Sequence, residues 1–330
     1  MATPTYFKRC VAIAATMATL APAMAPVQST AAPFSLNSLK HIEFIGANST
    51  SSENTTKAQF IEDANGSERI NFAGKLRMLT QRLASYSCAV ASGVDTENSI
   101  LVLQAAAGEY SKIINGLEFG DPDLNINSAE TKRKITYKIN EKLEAWVPFH
   151  TAVQSLINDP SDAQAIAYIS ENNMGLLQHA KDLVVVISAT YSNPSEMLQS
   201  DAMLIDIAGR QRMLSQKMGK EICAVVSGNT ALGTSEVFEQ TMNTFETSLL
   251  ALRDGFAAAG ISAPPTPEIN EQIQLIWSDW ETVKQDLAKL AESGFKSLEA
   301  EAEALHHLDD ILVDMNRAVI MYTQNAKLGL

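Results

Sequence analysis

The sequence predicts an all-α protein built as two tandem up-down-up-down four-helix bundles. Three observations carry that prediction. Apolar residues recur at i, i+3/i+4 and i+7 through nearly the whole chain beyond residue 55, in long stretches separated by short breaks of Gly, Pro, Asn and Asp. The β-branched alternation that a sheet needs is absent. Finally, one segment occurs twice. Ile70-Asn71-Phe72-Ala73-Gly74-Lys75-Leu76-Arg77-Met78-Leu79-Thr80-Gln81-Arg82-Leu83 returns 135 positions later as Ile205-Asp206-Ile207-Ala208-Gly209-Arg210-Gln211-Arg212-Met213-Leu214-Ser215-Gln216-Lys217-Met218. The match runs on without a gap to Cys88-Ala89-Val90 and Ser92-Gly93 against Cys223-Ala224-Val225 and Ser227-Gly228. A period this long marks a duplicated module rather than a short solenoid unit.

In chain order, residues 1–31 read as a secretory signal peptide. Lys8 and Arg9 precede the Ala-rich apolar run Val11 to Met24, and Ser29-Thr30-Ala31 offers a cleavage site. Residues 32–55 end in a polar Asn/Ser/Thr run and read as a flexible linker. A first module, 56–193, is expected to hold helices at roughly 56–92, 98–119, 128–157 and 162–191. A second, 194–330, is expected to hold them at roughly 195–227, 232–259, 267–292 and 297–326. Short loops between long helices imply up-down-up-down bundles. Weaker matches between the modules supply a shared core: Tyr110 with Phe245, Leu117 with Leu252, Leu177 with Leu312, Val184 with Val319, and Trp146 one place from Trp280.

Composition excludes several functions. The chain carries 25 Lys and Arg against 38 Asp and Glu, a net charge of −13, which becomes −15 if Lys8 and Arg9 leave with the signal peptide. That surplus repels nucleic acid and anionic membranes, and the densest basic run, Lys132-Arg133-Lys134, reads as a solvated helix end. No further apolar segment of 18 residues or more is present, so the mature chain is expected to have no membrane span and to be soluble. No kinase or methyl-accepting output domain is recognisable. Cys88 and Cys223 occupy equivalent core positions of separate repeats and read as buried free thiols, although sequence alone leaves their bonding open.

The repeated helix is the candidate site. Counting from the motif glycine, Gly74, Arg77, Gln81, Ala84 and Cys88 lie at offsets 0, 3, 7, 10 and 14, as do Gly209, Arg212, Gln216, Gly219 and Cys223. This is a heptad seam, by which one helix faces another along its length. Its content is unusual, with small residues, an arginine and a glutamine where leucine is expected. Glycine in a helix interior costs about 1 kcal/mol, and its use in both copies suggests a close backbone approach. A seam arginine needs an anion or an acidic partner. Two such helices side by side would set two guanidinium groups around a gap able to hold a planar oxyanion. Equally, each arginine could pair with groups of its own bundle as a structural device. The charges shared by the copies at Lys75/Arg210 and Arg82/Lys217 fall off the seam and are expected to face solvent.

The motif Ile-Asn-x-Ala-Gly-x-x-Arg-Met-Leu-Ser-Gln resembles the start of the periplasmic helical sensor domain of NarX-like nitrate/nitrite sensor kinases and PilJ-like type IV pilus chemotaxis transducers. Gly74 to Met78 is similar to the nitrate-sensor version and Gly209 to Gln216 to the pilus-transducer version. The resemblance implies a periplasmic location and a sensory role acting through a membrane receptor or pilus-system protein. It also implies nitrate held between two first helices by Arg77 with Gly74 and Arg212 with Gly209, with Gln81 and Gln216 as seam support. Thr80 departs from the usual serine.

Whether one chain completes a two-arginine site turns on Ser192-Asn193-Pro194-Ser195. A reversal there makes the motif helices parallel neighbours. A kink stacks the bundles, each about 50 Å long, end to end with the arginines far apart, and each motif then needs a second chain, as in a homodimer. Elsewhere, His306-His307 with Asp309, Asp310 and Asp314 lacks an equivalent in the first repeat and is not read as a metal site. Met203, Met213, Met218, Met242, Met315 and Met321 read as core fillers, and Trp146, Trp277 and Trp280 as packing anchors. No phosphate loop, nucleophile elbow or haem motif is found, so neither catalysis nor a cofactor is expected. The alternative to a sensory module is a non-catalytic helical adaptor that docks a type IV pilus or chemoreceptor component.

Overall fold

The computed structural model describes residues 65–191, 199–292 and 295–328. The signal-peptide and linker readings, the expected helical turns at 56–64 and the junction at 192–198 lie outside them. Among the described residues are eight α-helices and no strand. They are α1 (Gly66–Ser92), α2 (Thr96–Phe119), α3 (Arg133–Asn158), α4 (Ala163–Tyr191), α5 (Gln199–Ser227), α6 (Ser235–Asp254), α7 (Pro267–Glu292) and α8 (Leu298–Leu328).

Each repeat closes a ring of four helices. In the first, α1 packs on α2, α2 on α3, α3 on α4 and α4 back on α1; α5 to α8 repeat the pattern. The cores correspond as well. Tyr110 meets Trp146 with ring centroids 4.0 Å apart, and Phe245 meets Trp280 at 4.8 Å. Leu117, Leu252, Leu177, Leu312, Val184 and Val319 are all buried.

The first helix, expected over 56–92, starts at Gly66, because Asn65 before it takes a left-handed conformation at φ 52°. Two further boundaries differ by several residues from those read in the sequence, and each has a local cause. The helix expected at 232–259 stops at Asp254 because Gly255 turns the chain at φ 78°, where a Cβ would come within 2.9 Å of the Ala263 backbone nitrogen. A short 3-10 turn, Ala257–Ala259, follows, bracketed by an antiparallel bridge between Phe256 and Ile261. The first repeat has the same construction 135 residues earlier: Gly120 at φ 84°, a 3-10 turn at Pro122–Leu124 and a bridge between Asp121 and Ile126. The two loop sequences share little, so the backbone device outlasted its side chains. The helix expected at 128–157 starts only at Arg133. Buried Arg69 donates to the carbonyls of Leu117 (2.8 Å) and Ser128 (2.6 Å) and pairs with Glu130 at 3.3 Å, while the Glu130 N–H donates to the Glu118 carbonyl. These bonds hold the preceding segment across the ends of α1 and α2. Lys132, Arg133 and Lys134 are exposed at that helix start.

The residues from Ala64 onward form one compact unit, and its most extensive helix pair is α1 with α5. The two motif helices are therefore parallel, in-register neighbours rather than ends of stacked bundles. One consequence corrects the reading of the cysteines. Cys88 and Cys223 are disulfide-bonded, with Cα atoms 6.1 Å apart, and are not free thiols. Each belongs to the seam rather than to the core of its own repeat, so packing in register sets offset 14 against offset 14. Closing a loop of this length contributes up to about 5 kcal/mol in the chain-entropy account. Further along, a Cβ on Gly219 would lie 2.9 Å from Ser85 Oγ and from Leu305 Cδ2, so here glycine does permit close helix approach.

Candidate functional site

All four residues assigned to ligand binding meet at one place. A Cβ on Gly74 would lie 3.5 Å from Nη2 of Arg77 and 3.7 Å from Nη2 of Arg212; one on Gly209 would lie 3.5 Å from Nη2 of Arg212 and 3.8 Å from Nη2 of Arg77. The two guanidiniums, one from each repeat, thus lie together above the two glycines. This revises the expected purpose of these glycines. What approaches them is a pair of cations, at ordinary van der Waals distance, and not a neighbouring backbone.

The arginines are held crosswise. Arg212 donates from Nη1 and Nη2 to Asn71 Oδ1 on α1, each at 3.2 Å, and from Nη1 to Asn316 Oδ1 on α8. Arg77 donates from Nη1 and Nη2 to Asp206 Oδ1 on α5, at 3.4 and 3.3 Å. Asn71 and Asp206 are equivalent positions, one turn before the glycine, so each copy caps the arginine of the other. Both arginines are buried, and Nε of each has no hydrogen-bond partner among the described residues. Burial pulls the Arg212 guanidinium down to about 10, with the neighbouring Arg77 adding to the effect; it still carries its charge at neutral pH. Arg77 is lowered by the same desolvation, which Asp206 partly opposes.

These groups open onto a cavity of about 910 Å³. Among the described residues its charged lining is Arg77, Arg212, Arg210 and Lys181, against the one carboxylate of Asp206. In a chain of net charge −13, this lining is a local excess of positive charge. Apolar side chains, among them Ile70, Val184, Met203 and Ile205, complete the walls. Low-dielectric walls strengthen any charge interaction formed inside.

The residue after the motif Met-Leu also has a defined task. Thr80 donates to the Arg77 carbonyl at 2.8 Å and Ser215 to the Arg212 carbonyl at 3.0 Å. Threonine in the first copy therefore makes the same bond as serine in the second. Gln81 and Gln216 are buried within the seam. Gln81 donates to Asn173 Oδ1 at 3.3 Å, and Gln216 donates to Asp309 Oδ1 at 3.0 Å while accepting from Arg82 at 2.9 Å.

Two positions expected in solvent are not there. Arg82 reaches across the seam to Asp309 on α8 with both Nη atoms, at 2.5 and 2.8 Å, and Tyr86 donates to the same carboxylate at 2.6 Å. Lys217 pairs with buried Glu221 and donates to Thr241. Helix spacing places these Cβ atoms beside the seam, but the long side chains carry their charges inward, Arg82 to Asp309 on α8 and Lys217 to Glu221 one turn along its own helix and Thr241 on α6. Lys75 meets Glu109, and Arg210 stays largely exposed and pairs with Asp206 at 2.7 Å.

Sequence reasoning missed Asn71, Asp206, Asn316 and Lys181. The first two stand inside the repeated motif, beside the seam, and their polarity in both copies was the available signal. The other two occupy equivalent positions of α8 and α4, where nothing local marks them. Among the described residues no cluster of His, Cys, Asp and Glu is arranged to hold a metal, and no helix is long and apolar enough to cross a membrane. His307 is engaged with Asp286, and His306 lies 3.9 Å from Asp310.

No curated protein matches the chain. The family model for the N-terminal domain of type IV pili methyl-accepting chemotaxis transducers, PilJ, matches residues 62–170 and again 195–306. Both segments contain a complete copy of the motif and of the seam that joins α1 to α5. On that double match, which spans most of the chain, the protein belongs to the PilJ family of type IV pili chemotaxis-transducer N-terminal domains.

Proposed function

We propose that the chain is an exported, periplasmic sensory module, cleaved near Ala31, that binds a small oxyanion such as nitrate or nitrite and reports by contacting a membrane signalling partner. Modules 56–193 and 194–330 each supply half of the site. Arg77 and Arg212 provide charge, Gly74 and Gly209 leave room for the ligand, and Gln81 and Gln216 support the seam. The observation that carries this reading is the convergence of two buried guanidiniums over two glycines in an open, cationic cavity. Two like charges so close and short of carboxylates gain from an anion between them. A single chain contributes both arginines, so the site itself calls for no second copy. Neither catalysis nor a cofactor has a part in this role.

A four-atom ligand gains at most about 6 kcal/mol, which corresponds to a Kd on the order of tens of micromolar at best. Calorimetric titration with nitrate, nitrite and chloride, on the wild type and on Arg77→Ala/Arg212→Ala, tests the proposal. Saturable heat with nitrate or nitrite that disappears in the variant is the expected outcome; no heat up to millimolar ligand would remove the oxyanion assignment. One observation favours the second reading, a helical adaptor docking a pilus or chemoreceptor component: Arg77 already has an internal acidic partner in Asp206. On that reading the double variant loses assembly rather than ligand response.

A further inference from the structure

We infer that Asp206 is a built-in competitor for the anion site, setting its affinity by occupying Arg77 until ligand arrives. The inference rests on the anion-binding reading above. It begins from a place where the repeats diverge in charge at the site, as they also do at Lys181 and Asn316. Position for position, the cap on Arg212 is the neutral amide oxygen of Asn71, whereas the cap on Arg77 is the carboxylate of Asp206. One half-site is therefore open to an anion, and the other already holds one.

The geometry makes that resident anion displaceable. A charge-assisted N–H···O bond runs near 2.7–2.9 Å and is strongest when bidentate. Asp206 instead offers Arg77 a single oxygen, Oδ1, at 3.3 and 3.4 Å. Its second oxygen, Oδ2, takes a bond from Arg210 at 2.7 Å, one turn along α5. The Asp206 side chain is 38% exposed, against 9% for Arg77, so it has somewhere to move and the arginine does not. A small anion entering between the guanidiniums takes over the Nη atoms of Arg77. Asp206 then turns outward and stays paired with Arg210. No proton moves and no covalent bond changes: one carboxylate contact is exchanged for one ligand contact.

The test is nitrate titration of the purified protein by calorimetry, with Asp206→Asn, which gives the second copy the residue of the first, and the reciprocal Asn71→Asp. Asp206→Asn is expected to tighten nitrate binding about tenfold, as removal of one unit of charge at the edge of the site should. Asn71→Asp is expected to weaken it by a similar factor or more, since both arginines then carry a resident carboxylate. Circular dichroism establishes that each variant keeps its helices, and the two opposite shifts separate competition from general damage. Wild-type binding that is unchanged or weaker in Asp206→Asn overturns the competitor role and leaves the anion site standing. Absence of nitrate binding in both wild type and Asp206→Asn overturns the site itself.

Discussion

At one end of the α1–α5 seam, Cys88 and Cys223 are covalently joined within buried surroundings; at the other, Arg77 and Arg212 face each other beside an open cavity. The same two helices and the same heptad spacing produce both. The ends lie 11 residues apart, about 17 Å along a helix. One end is fixed by a bond, and the other is held apart by like charges, with amide oxygens and one long carboxylate contact to restrain them. The difference teaches where the molecule can move. With the cysteine end fastened, α1 cannot slide freely along α5. A change in spacing at the arginines must appear as a change in crossing angle.

The largest effect should come from breaking the fastened end. Cys88→Ser/Cys223→Ser is expected to cost about 2–5 kcal/mol in urea denaturation. Nitrate affinity, read by calorimetry, should change less than threefold, because the arginines are positioned by their own caps.

The cysteine end also holds a group that weakens it. Glu301, in the first turn of α8, is fully buried, and neither carboxylate oxygen has a hydrogen-bond partner among the described residues. Burial pushes its carboxyl up from 4.5 to about 7. The native state therefore keeps a proton that the unfolded chain loses, and stability falls as pH rises between those values. Glu301→Gln should match the wild type at pH 4 and exceed it by roughly 1–3 kcal/mol at pH 8. A gain of equal size at both pH values would show that ionisation is not the cause.

At the arginine end the expected stability effects are smaller and opposite to those on binding. Arg212→Met removes a buried charge that lacks a carboxylate partner among the described residues, and should raise stability by about 1 kcal/mol while abolishing nitrate binding. Gly74→Ala and Gly209→Ala should each add about 0.5–1 kcal/mol through helix propensity, since a Cβ meets only ordinary contacts. Each methyl would also stand in the space beneath the guanidiniums, so nitrate affinity should fall by at least tenfold. Thermal melts paired with titrations separate the two effects.

Much of this architecture was legible in the sequence. The helical period and the 135-residue repeat predict the eight helices, and the heptad offsets of Gly74, Arg77, Gln81 and Cys88 predict a face that meets a partner. The partner's identity was not legible, because a seam read from one helix does not say which helix it meets; Pro194 suited either a reversal or a kink. The cysteines were misread for that reason, as their pairing exists only once α1 and α5 are neighbours. Arg82 was misread because helix spacing locates a Cβ, while the guanidinium lies several bonds away and its partner Asp309 is 227 residues distant.

Because both half-sites belong to one polypeptide, dilution has no hold on the arginine pair. Where two separate chains build such a site, its abundance follows mass action and fades as protein becomes scarce. Here the second arginine is always present at the effective concentration of a folded neighbour, so the dose–response curve should keep its midpoint whether few or many copies are made.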